Sequence, residues 1–375
     1  MKKGYIISMN SSDSFFYLVN ENINISGYIG VKTKILSQAS VFAKHFPRVL
    51  IAYYANGIAY LCDMEIVIEK KLALSRVECF AVFLNWMSIY QCKWVYIRCL
   101  IPASRIYIDF LKKMHEKGVK AVLEYPTYPY EGEIQDEAVL REDRFYRDEI
   151  KKYISLVTVY SLVPNIYGIN AHVLQNGVRV EDNPVRSIKK KSNKIIMLAV
   201  ANFYFHHGYE RVLEGMRNYY QNKHEYEIYF DMIGEGSERR YYEYLVKKYS
   251  LQKYVSFLGI QSGGSLDNYY NRADIGVAPL GLHKCNTVYS APIKTREYCV
   301  RGIPFIYGYS DIGFTGDEPF VIRISNDSVP LDMDVVIALY ERTVGRVDLV
   351  HDMRKLAEEK FTWDVLLRQV IGYLK

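Results

Sequence analysis

Short apolar runs alternate with amphipathic stretches along the whole chain. Residues 4–9 read as a first strand that stops at the polar run Asn10-Ser11-Ser12. Gly27-Tyr28-Ile29-Gly30 then leads into a helical stretch over 31–45. Apolar runs at 49–54 and 94–100 predict buried strands. Ser104 is placed to cap a helix with Tyr107, Phe110, Leu111 and Met114 on one face, closed by Gly118. A strand at 120–124 runs into an aromatic, proline-rich loop, Tyr125-Pro126-Thr127-Tyr128-Pro129-Tyr130. A helix at 143–154 and strands at 156–160 and 172–174 complete this series.

The pattern lapses between 183 and 193, a polar and basic tract without apolar periodicity that reads as a linker. A second series begins at Lys194. Strands are expected at 195–201, 226–233, 255–258, 275–279 and 305–307. The helix after Gly208 places Tyr209, Val212, Leu213 and Met216 on one face, and another helix spans 291–300. Two βα series joined by one linker predict an α/β protein of two Rossmann-like, doubly wound domains, residues 1–185 and 192–361. Parallel strands put ligand sites at their C-terminal edges, and two such domains face each other across a central cleft.

Composition narrows the field only a little. Of 375 residues, 50% are hydrophobic and 24% charged, which excludes a disordered chain and a small disulfide scaffold. The net charge of +6 suits anionic small molecules or an anionic membrane surface and is too weak to argue for nucleic acid. The 35 tyrosines reflect either AT-rich codons or a sugar-facing surface. None of the six cysteines forms a C-x-x-C pair, and no His/Cys spacing suggests a metal. The basic start is too short for a signal peptide, and the longest apolar stretch, 79–90, is too short to span a bilayer. The expectation is a cytoplasmic protein, peripheral to a membrane at most.

The segment with most chemistry runs from Tyr289 to Tyr298, followed by Gly302-Ile303-Pro304. Ser290 reads as its N-cap and Pro292 as first-turn residue, so the helix start offers free N–H groups to an anion. Lys294 in that turn is unhelpful to the helix dipole, which favours an anionic ligand nearby. Glu297 can accept two hydrogen bonds from a vicinal diol. The competing reading is a surface network, Lys294–Glu297–Arg301.

This segment resembles the C-terminal half of retaining nucleotide-sugar glycosyltransferases of the GT-B fold, typified by capsule, exopolysaccharide and lipopolysaccharide enzymes. Leu174-Gln175-Asn176-Gly177-Val178, Ile233-Gly234-Glu235-Gly236-Ser237, Val255-Ser256-Phe257-Leu258-Gly259 and Phe361-Thr362-Trp363 resemble further family motifs, in the family's order. So does Ala201-Asn202 with His207-Gly208-Tyr209-Glu210-Arg211, and the tract after Glu124 resembles a capsule-type subgroup.

The resemblance implies a sugar transferred from a nucleotide diphosphate to a hydroxyl of a glycan, a lipid-linked one at the inner membrane face, with retention and with no cofactor or metal. The nucleotide sugar is a co-substrate. Donor contacts fall on Gly30 in the glycine loop, Asn202, Leu258 near the base, Ser290, Ile293, Lys294 and Glu297 at the ribose. The first glutamate of the family's E-x7-E motif falls at Tyr289, and its Arg/Lys pair falls near Asn202 and His207. A protonated His207, with Lys294 or Arg296, would then neutralise the diphosphate, which makes Lys294 and His207 catalytic candidates. Glu124 is a third, facing the sugar. Arg98, Tyr125, Thr127 and Tyr128 are acceptor candidates, against the alternative of a rigid loop that packs the interdomain surface. The last segment, 362–375, is expected to return to the first domain. The same departures leave open a non-catalytic subunit that binds a sugar nucleotide or a partner enzyme. Asp332-Met333-Asp334 reads as surface decoration rather than a metal–nucleotide motif, and the tract 186–194 as a solvated tether.

Overall fold

The structure is a computed structural model that describes residues 13–19, 29–98 and 102–375. The chain forms two compact units, Met1–Leu174 with Leu367–Lys375, and Gln175–Leu366.

The first unit is built on a nine-stranded sheet in the order β4-β3-β2-β1-β5-β6-β7-β9-β8. The strands are β1 (Ser14–Val19), β2 (Val49–Ala55), β3 (Ile58–Asp63), β4 (Ile66–Leu72), β5 (Cys92–Arg98), β6 (Lys120–Tyr125), β7 (Leu156–Val159), β8 (Asn165–Ile166) and β9 (Ile169–Val173). An interior strand, β1, runs parallel to β2 on one side and β5 on the other. All six of its residues are buried. The first strand expected at 4–9 lies outside the described residues. β2 and β3 form a hairpin through Asn56 and Gly57, whose φ values of 52° and 76° suit a two-residue turn.

Helices α1 (Ile29–Phe42), α2 (Arg76–Ile89), α3 (Arg105–Glu116) and α4 (Glu137–Tyr146) belong to this unit. The Ser104 hydroxyl caps α3 by accepting from Tyr107 N–H, and Tyr107, Phe110, Leu111 and Met114 are buried, as the periodicity predicts. The long apolar stretch forms α2. Among the described residues no helix is long and apolar enough to cross a membrane.

The second unit has a parallel six-stranded sheet in the order β12-β11-β10-β13-β15-β17. Its strands are β10 (Lys194–Val200), β11 (Glu227–Ile233), β12 (Val255–Phe257), β13 (Ile275–Val277), β15 (Phe305–Tyr307) and β17 (Val321–Arg323), while β14 (Tyr289–Ser290) and β16 (Ser310–Asp311) form a separate pair. The helices are α5 (Glu210–Tyr220), α6 (Arg239–Lys248), α7 (Gly263–Arg272), α8 (Ile293–Arg301), α9 (Met333–Thr343), α10 (Val347–Lys360) and α11 (Trp363–Leu366). Tyr209, Val212, Leu213 and Met216 fill the core beneath α5. The strand order reverses between β10 and β13, so a ligand site of this fold lies past the C-terminal ends of those two strands.

Two segments sit differently from expectation. The tract 183–193 falls after the change of unit and lies along the second one. Arg186 Nη1 donates to Ala273 O at 3.1 Å, Ser187 N–H to Asn271 Oδ1 at 2.7 Å, and Lys189 Nζ pairs with Asp274 Oδ1 at 2.6 Å. It is therefore a fastened strap, not a solvated tether. At the other end, Trp363 stays with the second unit, where it covers Gly177; a Cβ there would lie 2.6 Å from the indole. Only α12 (Arg368–Leu374) joins the first unit, where Lys120 Nζ donates to Tyr373 O at 2.9 Å.

Candidate functional site

In the second unit, glycines draw three loops together past the ends of β10, β11 and β13. Gly208, at φ 67°, lies so close to Leu280 and Gly281 that a Cβ would sit 2.6 Å from Gly281 N. Gly234 and Gly236 press in the same way on the backbone of Ala201 and Phe203. Leu280 N–H donates to His207 O at 2.8 Å, which ties two of these loops directly. Asn202 is exposed on this rim, and His207 is half-buried.

His207 does not carry the proton expected of it. Burial and the neighbouring His206 lower its pKa to about 4. Its Nδ1 accepts from Tyr204 N–H at 3.1 Å, which assigns the remaining proton to Nε2. At neutral pH it is a neutral donor and adds no positive charge.

The strongest constellation lies on α8. Tyr289-Ser290 is drawn into a parallel pairing with Ser310-Asp311, so Ser290 is not the N-cap. The helix starts two residues later than expected, with Pro292 at the cap and no side chain bonding the first turn. Its first N–H groups have no intrahelical acceptors, and among the described residues Pro292 gives them no side-chain cap. Ile293 and Lys294 stand at this end, exposed and half-buried. Lys294 Nζ lies 2.6 Å from Glu297 Oε2, and the Tyr270 hydroxyl on α7 donates to the same oxygen at 2.7 Å. Burial alone would raise the Glu297 pKa; Lys294, Tyr270 and Arg301 outweigh it and hold the carboxyl below its ordinary value. The surface network is thus only half made, because Arg301 turns instead to Asp267 at 2.8 Å and Asn183 at 3.0 Å.

Arg296 is not available to a ligand. It is fully buried, paired with Asp311, hydrogen-bonded to Gln175 Oε1 at 2.5 Å, and held between Phe314 and Phe361. It fastens the β16 turn to α8.

In the first unit, Arg98 and Glu124 end neighbouring strands in register, and they pair with each other. Glu124 also accepts from Tyr96 OH at 2.6 Å and lies 3.8 Å from Lys34 Nζ, which sits over the Tyr160 ring. Burial pushes the Glu124 pKa up, but Arg98, Lys34 and Tyr96 overcome it and the carboxyl stays ionised. Glu124 is wholly buried and Arg98 nearly so. Their assignment to sugar hydroxyls is corrected: they satisfy one another because an unpaired buried charge is costly. Tyr125 is likewise core. Of the acceptor candidates, Thr127 is exposed and Tyr128 half-buried, with a cis bond between Tyr128 and Pro129.

The remaining candidates scatter. Gly30 is an exposed residue in the first turn of α1, with no described residue within 4 Å of a built Cβ; Gly27 and Tyr28 of the expected glycine loop lie outside the described residues. Leu258 is half-buried beyond β12, and Ile260 beside it is 73% exposed. Asp332 caps α9 by accepting from Asp334 N–H at 2.9 Å. Tyr270, Lys34 and Tyr160 were not singled out by sequence.

Residues 181–311, which hold the switch-point loops and α8, match the family model described as glycosyl transferases group 1. No curated protein sequence matches the chain. Among solved structures, the chain is similar to the sucrose-phosphate synthase of Thermosynechococcus elongatus, at 14% identity and a TM-score of 0.64, over 96% of this chain and 97% of that one. It is similar to a glycosyltransferase from Rickettsia africae at 13% identity and a TM-score of 0.65, over 96% and 97%. The Anabaena protein HepE, solved in complex with UDP, matches at 12% identity and a TM-score of 0.65, over 96% and 99%. At these identities the likeness is one of architecture: the chain has the GT-B fold of two doubly wound units, and its second unit carries the group 1 glycosyl transferase pattern.

Proposed function

We propose that this protein is a glycosyltransferase that moves a sugar from a nucleoside diphosphate to a hydroxyl of a glycan. The observation that carries the reading is the start of α8. An uncapped helix end, Lys294 and an ionised Glu297 meet there, inside the region that matches group 1 glycosyl transferases. The N–H groups and Lys294 would hold the diphosphate as it departs, where fixed positive charge lowers the barrier most. Neutral His207 would add a hydrogen bond through Nε2–H, and Glu297 would hold the ribose. The departing phosphate oxygen would take the acceptor proton, so no separate protein base is required. HepE was solved with UDP and with UDP-glucose, which supports a nucleotide sugar as donor. We assign the acceptor to the first unit, near Thr127 and Tyr128, and take it to be a lipid-linked glycan of a bacterial surface polysaccharide, reached at the inner membrane face. Retention and independence of metal belong to the same proposal.

One observation favours a second reading, a non-catalytic subunit that binds sugar nucleotide: Arg98 and Glu124 are spent on each other. Turnover separates the two. With UDP-, GDP- and ADP-sugars and glycan acceptors, the enzyme reading expects release of one nucleoside diphosphate, slowed about 100-fold in Lys294→Ala. Binding without release at millimolar donor would leave the non-catalytic reading.

A further inference from the structure

The carboxylate of Glu297 is used unevenly. Both protein hydrogen bonds to it, from Lys294 Nζ at 2.6 Å and Tyr270 OH at 2.7 Å, land on Oε2. Oε1 accepts none from the described residues, and the side chain retains 20% exposure. Tyr270 itself is only 2% exposed. Its ring lies beneath the Arg301 guanidinium, 4.2 Å from the centroid, and Arg301 pairs with Asp267 one turn away on the same helix. The hydroxyl is thus fixed by packing from two sides before it meets Glu297. Without it, Lys294 alone would hold Oε2, through a flexible four-carbon stem.

We infer that Tyr270 is a positioning residue, which locks Glu297 with Oε2 committed to the protein and Oε1 left as the single acceptor for one ribose hydroxyl of the donor. This rests on the donor-site reading above and deepens it. With Oε2 already receiving two protein donors, a ligand hydroxyl is directed to Oε1. The consequence is specific. Removing the Tyr270 hydroxyl should matter only when the ligand carries the hydroxyl that Oε1 receives.

The test is a cycle between protein and ligand, on the full chain. Kd is measured calorimetrically for UDP, GDP and ADP, and then for the 2′-deoxy and 3′-deoxy forms of the one that binds. The variants are wild type, Tyr270→Phe, which keeps the ring under Arg301, and Glu297→Gln. The expected result is about tenfold weaker ribonucleotide binding in Tyr270→Phe, with one deoxy form bound equally by wild type and Tyr270→Phe. The acid limb of ribonucleotide binding should also move to higher pH in Tyr270→Phe, because the carboxylate loses a donor. Equal weakening of ribo and both deoxy forms, or no weakening, overturns the positioning role while leaving the donor site standing. If none of the three nucleotides binds wild type, the donor-site reading falls, and the inference with it.

Discussion

Replacing Arg296 with methionine removes the guanidinium and keeps most of the volume between Phe314 and Phe361. What it leaves behind decides the cost. The Asp311 side chain is fully buried. It keeps a hydrogen bond from Gly313 N–H to Oδ1 at 2.8 Å and one from Thr295 Oγ1 to Oδ2 at 3.2 Å, but no counter-ion. Gln175 Oε1 also loses its donor. Stranding one member of a buried pair costs about 3–5 kcal/mol, and the two surviving bonds place this case near the lower end. For a cooperative unit of this size, about 3 kcal/mol corresponds to a melting point lower by roughly 6–12 °C. Calorimetric melting reads this directly. Arg296→Met/Asp311→Asn should recover a substantial part of the loss, since the unpaired charge is gone; the coupling between the two sites should exceed about 1 kcal/mol. A single variant that melts within 2 °C or so of wild type would refute the reasoning and return Arg296 to the list of residues available to a ligand.

Two further outcomes are expected. His207 is neutral in the fold down to about pH 4, whereas in the unfolded chain it takes up a proton near its ordinary value of 6.5. Its contribution to stability is therefore complete above pH 6.5 and is lost as pH falls towards 4. His207→Gln should flatten that part of the stability curve in denaturant titrations; an unchanged curve would contradict the assignment. Gly234→Ala, at φ 129° and against the Ala201 carbonyl, should cost at least about 2 kcal/mol, whereas Gly30→Ala in exposed helix should cost nothing. Equal melting points for the two glycine variants would undo the account of how the switch-point loops meet.

Much of the layering was legible in the sequence. The faces of α3 and α5 follow from 3.6-residue spacing alone, because each helix buries one stripe and nothing else competes for it. The interior strand β1 was not legible. Its six buried residues follow another apolar run of similar length, and burial on both faces erases alternation. The β2–β3 hairpin had a local signal, Asn56-Gly57 between apolar runs, that a reading focused on βα units passes over. The start of α8 was misplaced because Ser290, a good cap by composition, is recruited into a pairing with β16, and tertiary pairing overrides local preference. Arg98 and Glu124 were each recognised as candidate site residues. Only the register of β5 against β6 shows that they face each other. Glu297 and Lys294 were found from sequence, and their partner Tyr270 was not, since contact between α7 and α8 has no trace in local spacing.

The central claim is that the start of α8 holds a nucleoside diphosphate through Lys294 and Glu297. Its most direct test is the melting temperature of the full chain with UDP, GDP and ADP, for wild type and Glu297→Ala. The account predicts that one nucleotide stabilises the wild type, by about 2.7 kcal/mol at a hundredfold excess over Kd, and that the gain largely disappears in Glu297→Ala. No stabilisation of wild type by any of the three at millimolar concentration, or an equal gain in the variant, would contradict it.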